Sequence, residues 1–259
     1  MRVFLRALTI AALALMGGPE IAAEPANPLS CGRQPFEGAG FVICTIDLQT
    51  ARLRLFWQGP DGRPYRTFAN VAMAVSNDGK SLTFAMNAGM YTDDFSPMGL
   101  YIEDGEERRP VNTAGIRQEA GLVPNFYKKP NGVFFLDAKG AGILPTQAFL
   151  QRRNKVRFAT QSGPMLVIDG KLHPAFIPGS TDRRRRSGVG VCEDGTLRFA
   201  ISDDPVNFHD FARLFRDELN CPDALFLDGG RGAGIYVPAL GMEDWSGHGG
   251  YGPIVGLIE

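Results

Sequence analysis

The stretch GVGVCEDGTLRFAIS, residues 188–202, decides the fold class. Its residues alternate on either side of Asp194-Gly195, the pattern of two strands joined by a tight turn. Asp-Gly suits such turns because the favoured hairpin geometries need positive φ, which Gly and Asp tolerate. The same pattern recurs in GLYIEDGEERRPV (99–111) and PMLVIDGKLHPAF (164–176). FVICTIDLQTARLRLFW (41–57) and PNGVFFLDAKGAGIL (130–144) each supply a further pair of strands. One helix is expected near residues 207–219, where Phe208, Phe211, Ala212, Phe215 and Leu219 share a face behind a capping Asn207. A shorter helix is expected over 145–152. The expected fold is α+β: a single mixed domain rich in antiparallel β-hairpins, with a few flanking helices.

The chain has 259 residues, 44% apolar and 21% charged, with a formal net charge of -1. Such a balance gives no global field for nucleic acid or an anionic membrane surface. Arg2 and Arg6 flank the start of an apolar stretch, Ala7 to Met16, and Ile21-Ala22-Ala23 offers small residues for cleavage. This is the pattern of a secretory signal peptide over residues 1–23, with one mature domain over 24–259. A periplasmic or secreted location follows, with no stable membrane insertion. Four cysteines in an oxidising compartment point to disulfides. The simplest pairing joins Cys31 to Cys44 and Cys192 to Cys221, one of three connectivities open to four cysteines. The histidines at 173, 209 and 248 share no ligand-like spacing, and neither a metal nor another cofactor is expected.

ALFLDGG, residues 224–230, departs from the hairpin pattern. The run before Asp228 is apolar on both faces, as in a strand buried on both sides. A carboxylate at its exit borders a low-dielectric interior, where it needs a purpose or a partner. Gly229 and Gly230 leave open backbone that a ligand can approach. FAMNAGMY (84–91) repeats the arrangement, with a strand running into Asn87 and Tyr91. Lys128 and Asn131 flank a Pro130 turn and are candidates to hold an anion or a hydroxyl. Gln161 and Ser162 precede a strand as candidate donors to a sugar or phosphate. Arg186, last of four consecutive arginines, is a candidate bidentate phosphate ligand. His209 opens the expected helix, where backbone N–H groups attract anions.

These landmarks, taken in order, resemble the phosphodiester glycosidase family. The matching pieces are NAGMY (87–91), NFYKKPNGVF (125–134), QSGPMLVIDG (161–170), RRSGVGV (185–191) and ALFLDGG (224–230). The resemblance implies a mixed α/β domain that hydrolyses sugar-1-phosphodiester bonds, with carbohydrate or sugar phosphate as partner. It also implies that Asn87, Arg186 and Asp228-Gly229-Gly230 surround one pocket. One departure stands out. Family members often continue Asp-Gly-Gly with small polar residues, whereas this chain continues with Arg231-Gly232-Ala233. That departure speaks for a competing reading, a non-catalytic glycan-binding or exopolysaccharide-assembly protein on the same scaffold. A third reading is a metal-dependent phosphohydrolase using Asp203, Asp204 and Asp228.

Overall fold

The Asp-Gly turns fold as their chemistry dictates. Asp104-Gly105 and Asp169-Gly170 both have positive φ at each turn residue (48° and 85°, 47° and 74°), the geometry that lets two strands twist together. The computed structural model describes residues 27–115, 123–152 and 155–259, and the leader read over residues 1–23 lies outside them. In chain order the strands are β1 (Leu29–Phe36), β2 (Ala39–Ile46), β3 (Leu53–Phe56), β4 (Leu82–Asn87), β5 (Tyr101–Glu103), β6 (Glu106–Arg109), β7 (Gly132–Asp137), β8 (Gly140–Pro145), β9 (Phe158–Ser162), β10 (Met165–Ile168), β11 (Lys171–Leu172), β12 (Arg186–Val191), β13 (Leu197–Ser202), β14 (Asp223–Gly229), β15 (Ile235–Val237), β16 (Met242–Glu243) and β17 (Ile254–Ile258). The helices are α1 (Phe68–Asn77), α2 (Thr146–Phe149) and α3 (Phe208–Arg213), the last running on into a π-turn over Leu214–Glu218.

The strands form three antiparallel sheets: β1-β2-β13-β12-β14-β10-β11, β16-β15-β4-β17-β3 and β6-β5-β9-β7-β8. The hairpins β5–β6, β7–β8, β10–β11 and β12–β13 pair as read from sequence. Residues 41–57 do form two strands, but β2 pairs with β1 and β13 while β3 pairs with β17. Burial decides this split. Leu55, Phe84, Phe134, Phe158, Phe199, Leu225 and Val255 come from all three sheets and meet in one central core. Helix α3 and its π-turn cover the outer face of the first sheet through Phe208, Phe211 and Phe215, packed on Phe41, Leu166 and Phe226. Asn207 caps it, its Oδ1 accepting Asp210 N–H at 2.8 Å.

Helix α1 escaped the sequence reading, although Thr67 caps it and Phe68, Val71 and Val75 bury one stripe against the second sheet. Both disulfides have the simplest pairing. Cys31–Cys44 bridges directly opposed residues of β1 and β2, and Cys192–Cys221 ties the β12–β13 turn to the entry of β14. Loops of 13 and 29 residues make each worth about 3 kcal/mol in the chain-entropy account. Among the described residues no helix is long and apolar enough to cross a membrane.

A bulge aims β14. Gly188 of β12 pairs with Phe226, but its neighbour Ser187 pairs with Asp228, so Leu227 is the extra residue. Before the bulge, Leu225 and Leu227 face the central core while Ala224 and Phe226 face α3. Strict alternation would send Asp228 outward toward α3. The extra residue resets the period and turns Asp228 inward, a common use of bulges beside active sites.

Candidate active site

Asp228 is the next-to-last residue of β14 and lies on the inner face of the first sheet. The residue keeps some accessible surface, yet its carboxyl group lies among protein atoms. One Oδ accepts the Gly229 N–H at 2.7 Å. No ion pair reaches the carboxyl among the described residues. Burial pushes its pKa up to about 7, with the Gly229 bond opposing that shift. Its backbone is held by Ser187, whose Oγ donates to Asp228 O at 3.1 Å, and by Ser162, whose Oγ donates to Leu227 O at 2.9 Å. Gly232 closes the other side. A Cβ on that residue would overlap the Asp228 carboxyl.

Asn87 ends β4, opposite Ile254 and on the α1 side of the second sheet, and is fully buried. Its Oδ1 accepts Gly234 N–H at 3.0 Å, which fixes the amide orientation. The other end, Nδ2, is a buried donor without a partner among the described residues. Such a group costs free energy unless a ligand or water accepts from it. Tyr91 stands close enough to Asp228 for the carboxylate charge to act on it. Burial raises its phenol pKa, and Asp228 then Tyr251 raise it further. Tyr91 therefore stays protonated as a donor. Tyr251 packs against Gly234, and its own phenol is pushed up to about 12 by burial and by Asp244.

A loop near the C-terminal end of the chain completes the site. Tyr91 Oη lies 2.6 Å from His248 Nε2 and donates to Gly250 O at 3.1 Å. Ser246 Oγ lies 3.1 Å from His248 Nδ1 and accepts Gly250 N–H at 2.6 Å. With the phenol proton spent on Gly250 O, the consistent assignment is a neutral His248 that donates from Nε2 and accepts at Nδ1. Burial and then Arg231 lower the His248 pKa, which favours that neutral form. Arg185 holds the loop's other end through Asp244 at 2.8 Å.

The structure brings Tyr91 near Asp228 and its neighbours Gly229 and Gly230, while Asn87 is tied to Gly234 on the next strand connection. The other sequence candidates lie differently. Arg186, expected in the same pocket, pairs with Gly229 and so projects from the opposite face of the sheet. Its guanidinium is buried, stacks 3.7 Å from the Phe208 ring centre, and donates to Val206 O and Asp182 O at 2.8 and 3.0 Å. Burial pulls its pKa down to about 10. Its planar fork is spent on the chain itself. Lys128 sits beside that group, 5.2 Å from the same ring and bonded to Asn125 Oδ1 at 2.9 Å.

Gln161 points to the other side of β9 from Ser162. It saturates its amide on Leu100 N, Asn112 N, Asn112 O and Thr146 Oγ1. Asn131 bonds Phe126 O and Thr146 Oγ1. Both therefore brace loops rather than offer free donors. His209 lies on the first turn of α3 with Nδ1 3.4 Å from Asp210, and no hydrogen bond joins it to Asp228 among the described residues. Asp203 and Asp204 contact Arg33 and Gly40 beside the β1–β2 turn, and among the described residues no cluster of metal-ligand type forms.

Ser246, His248, Tyr251 and Gly232 were missed as site residues by sequence reasoning. The signal was the glycine-dense DWSGHGGYG (244–252), a composition for backbone that must come close to side chains.

Comparison with known proteins agrees with this architecture. The phosphodiester glycosidase family model matches residues 80–251. The uncharacterized protein YigE of Escherichia coli (strain K12) is 34% identical over 185 residues, 71% of this chain and 70% of its own length. Among solved structures, the zebrafish N-acetylglucosamine-1-phosphodiester alpha-N-acetylglucosaminidase catalytic domain, auto-inhibited by its pro-peptide, superposes with a TM-score of 0.61. It is 16% identical, over 90% of this chain and 85% of that one. A hypothetical protein from Synechocystis superposes with a TM-score of 0.55 at 14% identity, over 89% of this chain and 62% of that one. At these identities the two likenesses bear on the fold alone.

Proposed function

This chain belongs to the phosphodiester glycosidase family, and from that premise we propose that it hydrolyses sugar-1-phosphodiester bonds, acting outside the cytoplasm on envelope or extracellular glycans. The two disulfides support the extracytoplasmic setting. The observation that carries the catalytic reading is the unpaired Asp228 carboxyl, aimed inward by the bulge at Leu227.

Ordinary glycosidases use two carboxyl groups, one to protonate the leaving oxygen and one at the anomeric carbon. In a sugar-1-phosphodiester the leaving group is a phosphate monoester, a weak base that departs without much help from an acid. One carboxylate then suffices. In this reading Asp228 in its ionised form lies at the anomeric carbon. It stabilises the positive charge that develops there, and its pKa near 7 suits it to take a proton from the attacking water. Asn87 Nδ2 is a donor for the sugar's hydroxyls, and the Tyr91 phenol, its proton on Gly250 O, stands beside the carboxylate. His248 and Ser246 hold the phenol in place.

The test is turnover of synthetic phosphodiesters of N-acetylglucosamine-1-phosphate, both anomers, with and without chelator. Turnover that survives chelation is expected. Because the ionised carboxylate does the work, kcat/KM is expected to rise with pH along a limb centred near pH 7. A limb that falls through the same pH would make Asp228 an acid instead, and the one-carboxylate reading would fail. Binding without turnover would return the chain to the glycan-binding reading.

A further inference from the structure

The arginines around this site differ in what they have left to offer. Arg66 donates from Nε to Gly249 O at 2.7 Å and lies 4.2 Å over the Phe95 ring. Arg185 is paired with Asp244 at 2.8 Å and bonded to Ser202 O. Arg186 is buried on the other face of the sheet with its fork on Val206 O and Asp182 O. Arg231 alone among these four has neither an ion pair nor a side-chain hydrogen bond among the described residues, and it is exposed.

Its position is fixed by the backbone. Arg231 is the middle residue of the single 3-10 turn Gly230–Gly232 that follows β14. Gly230 enters that turn at a φ of +60°, and its N–H is pinned to Arg185 O at 2.8 Å. Gly232, the next residue, is the wall against the Asp228 carboxyl. On the other side, the Arg231 charge reaches His248, the residue bonded to Tyr91. Arg231 therefore sits on the turn that walls Asp228 through Gly232, on the side where Tyr91 and His248 are bonded.

We propose that Arg231 is an anion subsite, gripping the phosphate oxygens of the substrate while Asp228 faces the anomeric carbon. This rests on the reading of the site as a sugar-1-phosphodiesterase and adds where the phosphate lies. The chemistry is self-consistent. The bond between the anomeric carbon and its oxygen breaks, the electron pair leaves with the phosphate monoester, and water supplies hydroxyl to the sugar. The leaving group gains negative charge as it departs, so a guanidinium beside it stabilises the transition state more than the ground state. The two charges of the site are kept for opposite ends of the scissile bond. Among the described residues neither Asp228 nor Arg231 has a charged partner.

The test uses the full mature protein and the variants Arg231→Met and Arg231→Lys, with Arg33→Met as a surface control. Two readouts are independent. The first is kcat/KM on the sugar-1-phosphodiester and on the neutral 4-nitrophenyl glycoside of the same sugar and anomer. Arg231→Met is expected to lower the phosphodiester value about 10²-fold and leave the neutral glycoside within a factor of two. Arg231→Lys is expected to recover part of the loss, since it keeps the charge and not the fork. The second is titration of inorganic phosphate followed by the His248 imidazole resonances. These are expected to move in the wild type and in Arg33→Met, and not in Arg231→Met. Equal phosphodiester turnover by wild type and Arg231→Met overturns the proposal, as does an equal His248 response in both. If the wild type turns over no phosphodiester, the function reading fails by itself, and the phosphate titration still decides whether Arg231 is an anion subsite.

Discussion

Asp228→Asn is expected to lower turnover of a sugar-1-phosphodiester by about 10²–10⁴-fold while making the protein harder to melt at pH 8. The two effects have one cause. The swap keeps the shape and lets the side-chain oxygen still accept the Gly229 N–H. It removes the charge that the reaction uses and that folding opposes. Unfolded, the carboxyl titrates near 3.8; folded, burial pushes it up to about 7. Below pH 3.8 both states hold the proton and the group costs nothing. As pH rises from there through 7, only the unfolded chain gives the proton up readily, so wild-type stability falls. At about 1.4 kcal/mol per pKa unit, the loss approaches about 4 kcal/mol above pH 7. The asparagine variant lacks that slope. Thermal melts at pH 4 and pH 8 should show the two proteins close at the lower pH and the variant ahead at the higher. Asp194→Asn is the matched control. Asp194 is an exposed turn residue whose carboxyl bonds Thr196, and Asn-Gly turns as well as Asp-Gly does. A variant at 228 that keeps wild-type turnover would reduce LDGG to a turn.

Gly232→Ala is expected to cost about 10²-fold in kcat with little change in melting temperature. No positive φ is needed at Gly232, so alanine fits the backbone there. Its Cβ would occupy the place of the Asp228 carboxyl oxygen, and the flexible side chain is what must yield. The carboxyl then leaves its position by about an ångström while the fold remains. Gly32→Ala, where a Cβ meets open space, is the silent comparison. Equal loss at both positions, or loss of fold at 232, would mean that the turn after β14 is only structural.

These two variants separate what local chemistry wrote into the chain from what assembly added. The hairpins were legible because an Asp-Gly turn is decided within four residues, by the φ values its own side chains allow. The capped helix at Phe208 was legible for the same local reason, a cap one residue from its helix, whereas four cysteines left three connectivities open and the fold chose the simplest. Asp228 itself could be singled out because an apolar run ending in a carboxylate needs an explanation wherever it folds. The direction in which Asp228 looks was not legible. The pattern up to Leu227 points it toward α3, and only the pairing of β14 with β12, from about 40 residues earlier, inserts the bulge that turns it inward. The same change of face separated it from Arg186, which sequence had placed beside it. His248 joins Tyr91 across 157 residues, and Arg66, Arg185 and Arg186 find acceptors in the fold while Arg231 has none among the described residues. Register and partner choice are competitions among distant segments for one buried space, so a local reading of the chain finds the carboxylate and the tertiary structure decides what it faces.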